Sequence, residues 1–195
     1  MSTNIIDSSA FDTALIPRLT TGLIRALSTA DIAGLSSDQV QAFTTKQIGV
    51  FTTLQLSNLS NDGLSGLSVD QLGVLTFKQF ANLRTLQIAL LSSVQLSGLN
   101  TAVMTALNSR QLSVLDPSNI VGFTTTQMGV FRAEQVGVLT TAQVAALTND
   151  QLGALDTNAV RGFSTVQIGV FDEVDVLGFT TSEMAALTTK QVRAF

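Results

Sequence analysis

The 195-residue sequence contains no cysteine, histidine, tryptophan or tyrosine. Without cysteine and histidine, the chain lacks thiol and imidazole nucleophiles, the usual zinc ligands and the side chain that exchanges protons near neutral pH. We therefore expect no enzyme, with no catalytic residues, no metal ligands and no bound cofactor. Because cysteine is absent there are no disulfide bonds, and cysteine usage indicates no redox compartment.

Charged residues are also scarce, at 12% of the chain, and the net charge is −4 at pH 7. The ten basic residues are scattered, so no basic stripe is available for a phosphate backbone, and we expect no nucleic-acid partner. No apolar run approaches the roughly 18 residues of a membrane span. The N-terminal residues MSTNIIDSSAFD lack a basic region followed by an apolar run, so we also expect no cleavable signal peptide.

A repeat of eight residues fills most of the chain. Every eighth residue from Phe11 to Phe195 is leucine or phenylalanine, which divides the sequence into 23 consecutive octads. Each octad reads Leu or Phe, a Ser/Thr/Asp/Asn position, usually Thr or Ser, a variable residue, commonly Gln, an aliphatic residue or Phe, and two mostly small residues. Residues 139–146, LTTAQVAA, are an example, and we number the octad positions one to eight.

The octad carries the signals of a helix start. Position two is Ser, Thr, Asp or Asn in 21 of 23 octads, as expected for an N-cap, and Gln stands at position five in 14 octads, which completes a capping box. Positions one and six then fall at N′ and N4, the pair that forms a hydrophobic staple. Pro117 follows Asp116 and so falls at N1, where a missing N–H costs little.

One uninterrupted helix does not suit this pattern, because an eight-residue repeat slips by about 80° per octad around a helix. We therefore predict an all-α solenoid of short helices, one per octad, with positions one and six in a continuous core. The small residues at positions seven and eight should let neighbouring helices approach closely. A β-solenoid is the competing interpretation, but apolar spacing of five then three residues is not strand alternation.

A longer period of 40 residues overlies the octad. The segment from Leu107, LNSRQLSVLDPSNIVGFTTTQMGVF, corresponds to the segment from Leu147, LTNDQLGALDTNAVRGFSTVQIGVF. Pairs of phenylalanines keep the same phase, namely Phe43 with Phe51, Phe123 with Phe131 and Phe163 with Phe171. Either five octads form one superhelical turn, which would stack these pairs in a column, or 40 residues is the size of a duplicated gene segment.

The two ends differ from the repeat. Residues 1–10 do not follow the octad, so we expect an irregular lead-in or cap ahead of a single solenoid over residues 11–195. Phe195 is the first residue of another octad, which suggests truncation within a longer chain. We expect core-type residues Leu187, Val192 and Phe195 to be left open and to support weak end-to-end self-association.

Several local features could be mistaken for sites. The acidic residues Asp172, Glu173 and Asp175 could hold a cation, but they fall at N-cap, N1 and N3 of a helix, where carboxylates are favourable. The Thr-Thr pairs could form an ice-binding surface, although one Thr of each pair is expected to cap a helix. The phenylalanine pairs could line a ligand pocket, and the variable position four could read bases. We interpret all four features as structural.

The octads FTTTQMGVF and LTTAQVAALTNDQLGAL resemble the Leu-Thr-Thr-x-Gln-Val type repeats in long repeat regions of large bacterial proteins, many of them secreted or surface-associated. The resemblance implies an extended spacer or scaffold without catalytic residues, and it favours an extracellular or cell-surface location over a cytoplasmic one. It transfers no site to any residue.

Two classes of function remain. The first is a structural spacer module of a larger protein, which holds flanking domains apart. The second is a repeat scaffold that binds a protein or peptide, for which an apolar strip on the outward positions would be needed. Residues at such positions are Leu54, Phe77, Leu86, Val94, Val166 and Val174.

Overall fold

The computed structural model describes residues 12–195, and this range contains only short helices and no strand. A 3-10 helix at Ile16–Arg18 precedes 22 α-helices of four to six residues. Their bounds are α1 Thr21–Ala26, α2 Thr29–Ala33, α3 Ser37–Ala42, α4 Thr45–Gly49, α5 Thr53–Asn58, α6 Asn61–Ser65, α7 Val69–Gly73, α8 Phe77–Ala81, α9 Thr85–Ala89, α10 Ser93–Ser97, α11 Thr101–Ala106, α12 Ser109–Ser113, α13 Pro117–Ile120, α14 Thr125–Met128, α15 Ala133–Gly137, α16 Thr141–Ala145, α17 Asn149–Leu152, α18 Thr157–Val160, α19 Thr165–Ile168, α20 Glu173–Val176, α21 Thr181–Ala186 and α22 Thr189–Val192.

The prediction of one helix per octad in an all-α solenoid is confirmed, and the β-solenoid is excluded for the described range. Every α-helix starts at position three of its octad. Within residues 12–195 no helix has the length and apolar character needed to cross a bilayer. The lead-in expected at residues 1–10 lies outside the described part of the chain.

The predicted caps are present. In 20 of the 22 α-helices the side chain at position two accepts a hydrogen bond from a first-turn N–H, and the two exceptions begin after Arg84 and Arg132. In α16, Thr140 Oγ1 accepts from the N–H of Gln143 at 3.1 Å, while Gln143 Oε1 accepts from the N–H of Thr140 at 2.9 Å. The start of each helix is therefore fixed by side chains of its own octad, as the capping box requires.

Replacing the N-cap residue should cost stability, whereas a change on the exposed first turn should not. Thr140→Ala removes an acceptor for the orphan N–H of Gln143 and is expected to lower the free energy of unfolding by about 1 kcal/mol. Ala142→Ser lies at exposed position four of the same octad and should have almost no effect. Urea denaturation followed by circular dichroism measures both, and equal losses from the two variants would contradict the cap assignment.

Pro117 occupies the first position of α13, as predicted, and Asp116 is the N-cap. The hydroxyl and the backbone N–H of Ser118 donate to Asp116 Oδ1 at 2.6 and 2.8 Å, and these two bonds, the hydroxyl bond first, lower the pKa of the Asp116 carboxyl. A lowered pKa means that this cap stabilises the fold above the carboxyl's unfolded-state pKa. The contribution is lost as the pH falls through the folded-state value.

Positions one and six form one continuous apolar core, as predicted. The aliphatic or phenylalanine residue at position six is buried in every octad from Ile16 to Ile168, and so is the Leu or Phe at position one from Leu27 to Phe163. Helices of this length are not stable alone in water. The core therefore supplies the stabilisation that the isolated octads lack.

The core thins out towards residue 195. Leu187 was expected to be open but is buried, with 8% of its surface exposed, whereas Val192 and Phe195 are 51% and 45% exposed. The ring of Phe195 stacks on that of Phe171, with centroids 6.3 Å apart. The expected exposure therefore holds for two of the three residues.

Each superhelical turn is shorter than five octads. Helices pack against the third helix along the chain, as α2 does on α5 and α15 on α18. Side-chain hydrogen bonds between turns join residues 25 to 31 apart, as in the bonds from Arg84 to the Leu59 carbonyl and from Gln143 to the Leu112 carbonyl. One turn therefore takes between three and four octads.

The interpretation of the 40-residue period as one superhelical turn is consequently wrong. The rings of Phe43 and Phe51 contact each other edge to face at 5.2 Å, in successive octads. Within residues 12–195, no ring contact joins Phe123 to Phe163, which are 40 residues apart. The phenylalanine pairs are thus separate core contacts and not a column, and the duplicated-segment interpretation stays a prediction.

Glycine at position eight allows the close approach that was predicted. None of the described glycines has a positive φ, so their role is not to supply a left-handed helix end. A Cβ on Gly122 would lie 2.0 Å from the carbonyl oxygen of Ser93, one turn earlier, and a Cβ on Gly162 would lie 2.2 Å from that of Ala133. At these places the backbones of neighbouring turns touch.

Candidate interaction surfaces

The interior polar groups form a ladder of glutamines that joins each turn to the previous one. Gln143 has no exposed surface. Its Oε1 caps the helix start in its own octad, while its Nε2 donates to the carbonyl oxygens of Leu112 and Leu115, both at 2.8 Å. One side chain therefore satisfies an orphan N–H of its own helix and carbonyl groups near the end of a helix in the preceding turn.

This bond pattern recurs along the chain. The glutamine Nε2 donates to the carbonyls of the residues 31 and 28 positions earlier at Gln47, Gln55, Gln71, Gln87, Gln95, Gln127, Gln135, Gln143, Gln151, Gln167 and Gln191. Asn119 takes the same place with a shorter side chain and donates to the Leu91 carbonyl at 3.1 Å. Both ends of each of these amides are therefore engaged in bonds that hold the solenoid together.

Position five carries no amide in several octads, which have small or apolar residues at Gly63, Val103 and Ala159 and carboxylates at Asp31, Asp175 and Glu183. Asp31 accepts from the N–H and the hydroxyl of Ser28 through Oδ2, while its Oδ1 is buried and has no hydrogen-bond partner. Glu183 is 2% exposed and accepts from the N–H of Thr180. A carboxylate caps its own helix as well as glutamine does, but an ionised one cannot donate to the preceding turn.

Two of the three carboxylates in the acidic cluster at α20, those of Asp172 and Asp175, are capping groups. Asp172 Oδ1 accepts from the N–H groups of Val174 and Asp175 at 2.8 and 3.0 Å, and Asp175 Oδ2 accepts from the N–H of Asp172 at 3.0 Å. Within the part of the chain that is described, no three acidic side chains are grouped so as to hold a metal ion. The cluster places negative charge on an exposed ridge.

The Thr-Thr pairs and the phenylalanine pairs have the structural roles expected of them. Thr44 and Thr52 each accept from a first-turn N–H, so the first hydroxyl of these pairs is committed to a cap. Phe43 and Phe123 are each 3% exposed and lie in the core. The capping bonds and the burial of these rings account for both features as parts of the repeat structure.

The outward apolar residues are exposed, as predicted. Leu54 is 62% exposed, Leu86 74% and Val94 65%. Leu177, which was not identified from the sequence as outward, is more open still at 80%. These side chains give the polar solenoid several apolar points on its outer face.

A basic groove lies across three successive turns near the start of the described range. Its lining residues are Arg25, Gly49, Val50, Phe51, Thr52, Thr53, Thr76, Lys78 and Gln79, and its volume is about 390 Å³. Both cations are exposed, and neither forms an ion pair within residues 12–195. We call this feature the basic groove, and the sequence did not predict it because its cations are 53 residues apart.

An acidic ridge lies near the other end of the described range. It consists of residues 172–177, which include α20, and of Asp150. Asp150 lines a surface pocket together with Leu177 and Gly178. Asn149 Nδ2 donates to the Val174 carbonyl at 3.1 Å and ties the ridge to α17. The side chains of Asp150, Asp172 and Glu173 are exposed. The ridge therefore combines carboxylates with the exposed apolar side chains of Val174 and Leu177.

Comparison with known proteins supports the repeat and no more specific activity. A family model, the ALTTAQ repeat, matches residues 16–53. The matched segment runs from the 3-10 helix into α5 and supports a repeat region in this chain. No curated protein matches the chain.

Proposed function

We propose that the chain is a non-enzymatic spacer module, in which stacked octads hold the segments at its two ends a fixed distance apart. The glutamine ladder is the observation that supports this role. The same connection between turns recurs along the chain from Gln47 to Gln191, so each octad that carries the glutamine extends the same structure. Short-range contacts of this kind make the length of a solenoid proportional to its number of repeats.

The proposal extends to partners and location. The ten basic residues are spread over the solenoid and no long basic stripe results, which favours a role without nucleic acid. The resemblance to repeats of large bacterial proteins favours a surface-associated or secreted host protein.

The spacer role predicts a fixed length that changes in steps of octads. Because the chain has no cysteine, Thr29→Cys and Thr181→Cys provide two unique dye positions on exposed helix starts. Single-molecule energy transfer should give a narrow distance distribution. Deleting residues 83–106, which are three whole octads, should shift the mean to a shorter distance without broadening the distribution.

The deletion variant has a matched control. Leu86→Ser with Val94→Ser changes two exposed side chains in the same segment without changing its length, and it should leave the distance unchanged. A broad distribution in the undeleted chain, or a distance that ignores the deletion, would contradict the spacer.

A binding scaffold is the second candidate, and the outward apolar residues favour it. Leu54, Leu86 and Val94 are all exposed by more than 60%, within one stretch of about five octads. Exposed apolar patches commonly mark interaction surfaces. A scaffold role predicts that serine at these three positions removes binding to a partner while the energy-transfer distance stays the same.

A further inference from the structure

The acidic ridge and the basic groove have complementary charge. The groove brings two cations, Arg25 and Lys78, to its lining, which contains no acidic residue. The ridge carries the carboxylates of Asp150, Asp172 and Glu173 around a projecting Leu177. Two exposed surfaces of opposite charge meet the electrostatic requirement of an interface.

The apolar parts of the two features also correspond. Leu177 is 80% exposed and Val174 61% exposed, so the ridge holds two large apolar side chains in water. The groove contains Val50 and Phe51, of which Phe51 belongs to the core and Val50 packs against it. A leucine seated there would leave water for an apolar floor, and the carboxylates beside it would lie near the cations.

We propose that the acidic ridge of one copy of this chain docks into the basic groove of a second copy. The groove ends at Gln79 and the ridge begins at Asp150, so the two features share no residue and one copy can use both. Such a contact is heterologous, and it grows head to tail unless its rotation closes a ring. The proposal goes beyond the spacer role and does not depend on it.

Association should be weak and sensitive to salt, because its charged groups are exposed. The Debye length falls from about 10 Å at 0.1 M salt to about 3 Å at 1 M. At low salt, sedimentation velocity of the protein should therefore show an average mass that rises with protein concentration. The concentration series should extend to about 1 mM, because weak contacts have dissociation constants in this range. The same samples should return towards monomer when salt is added.

Charge reversal tests the two surfaces separately. Arg25→Glu with Lys78→Glu reverses the groove, and Asp150→Lys with Glu173→Lys reverses the ridge without touching an N-cap residue. Each double variant alone should raise the dissociation constant by at least about tenfold, because like charges then face each other. A mixture of the two variants should associate again, because each reversed surface finds its complement on the other variant.

Two controls distinguish docking at these two surfaces from an effect of net charge and from an effect of any exposed apolar side chain. Arg110→Glu with Lys190→Glu gives the same change in net charge outside the groove and should leave association unchanged. Leu177→Ser should weaken association, whereas Leu86→Ser, at a side chain that is 74% exposed, should not. Circular dichroism confirms that every variant keeps its helices.

Three outcomes would overturn the proposal. The first is a wild-type chain that stays monomeric through the whole concentration range at low salt. The second is equal weakening by the control pair and the groove pair. The third is a mixture of the two reversed variants that stays monomeric.

Discussion

Replacing Gln143 by leucine is expected to lower the free energy of unfolding by about 2–4 kcal/mol, because the buried Leu115 carbonyl and the N–H of Thr140 both lose their side-chain partner. Leucine fills a similar volume, so the loss reports hydrogen bonds more than packing. The Leu112 carbonyl also accepts from the N–H of Leu115 and is affected less. Urea denaturation followed by circular dichroism measures the change.

Gln41→Leu is the matched control for this variant. The Gln41 side chain is exposed at position seven, and the same substitution there should change stability by less than about 0.5 kcal/mol. Hydrogen exchange should also show faster exchange at the start of α16 in the Gln143 variant only. Similar losses from the two leucine variants would mean that the ladder does not hold the turns together.

Gly122→Ala is expected to destabilise the chain by about 3 kcal/mol or more, because the added methyl overlaps backbone that cannot move independently. Its Cβ would lie 2.0 Å from the Ser93 carbonyl oxygen and 2.5 Å from the Ser93 carbonyl carbon. The two turns would have to separate, which would also strain the ladder between them. Thermal and urea denaturation both measure this loss.

Gly49→Ala provides a control of opposite sign. Apart from the backbone of α4 and the adjacent residues, no atom lies within 4 Å of the position that a Cβ would take on Gly49, the last residue of α4. Alanine has a higher helix propensity than glycine, so this variant should be unchanged or more stable by up to about 1 kcal/mol. If both glycine variants changed stability in the same direction, close approach of the turns would not explain Gly122.

The local structure could be predicted because each octad carries its own signals. Thr140 and Gln143 determine the start of α16 through bonds to residues at most three positions away. The leucines at position one and the aliphatic residues at position six then predict the core face. Such short-range information repeats in nearly every octad, and the agreement of many copies makes the register unambiguous.

The number of octads per turn could not be predicted, because it depends on the angle between successive helices. No single residue specifies that angle, and the 40-residue correspondence between the segments from Leu107 and Leu147 suggested a wrong value. The hydrogen bonds from each glutamine Nε2 to the preceding turn could not be predicted for the same reason. Their acceptors, such as Leu112 for Gln143, can be identified only when the preceding turn is in place.

The surface features also depend on this angle. Arg25 and Lys78 line the same groove because the turns that carry them are stacked on either side of the junction between α4 and α5. The exposure of Leu54 and Leu86 followed from their octad position alone and was predicted. Leu177 stands at a small-residue position, so the octad pattern did not mark it as an outward apolar residue.

The glutamine ladder has a consequence for how such a chain can change length in evolution. Its donor and acceptors are related by a fixed separation along the sequence, 31 and 28 residues, and not by the identity of particular partners. Unequal recombination that adds or removes eight residues therefore restores equivalent pairs on both sides of the junction. An insertion of any other size would shift the glutamines out of this register, so the gain or loss of whole octads is the change of length that the ladder tolerates best.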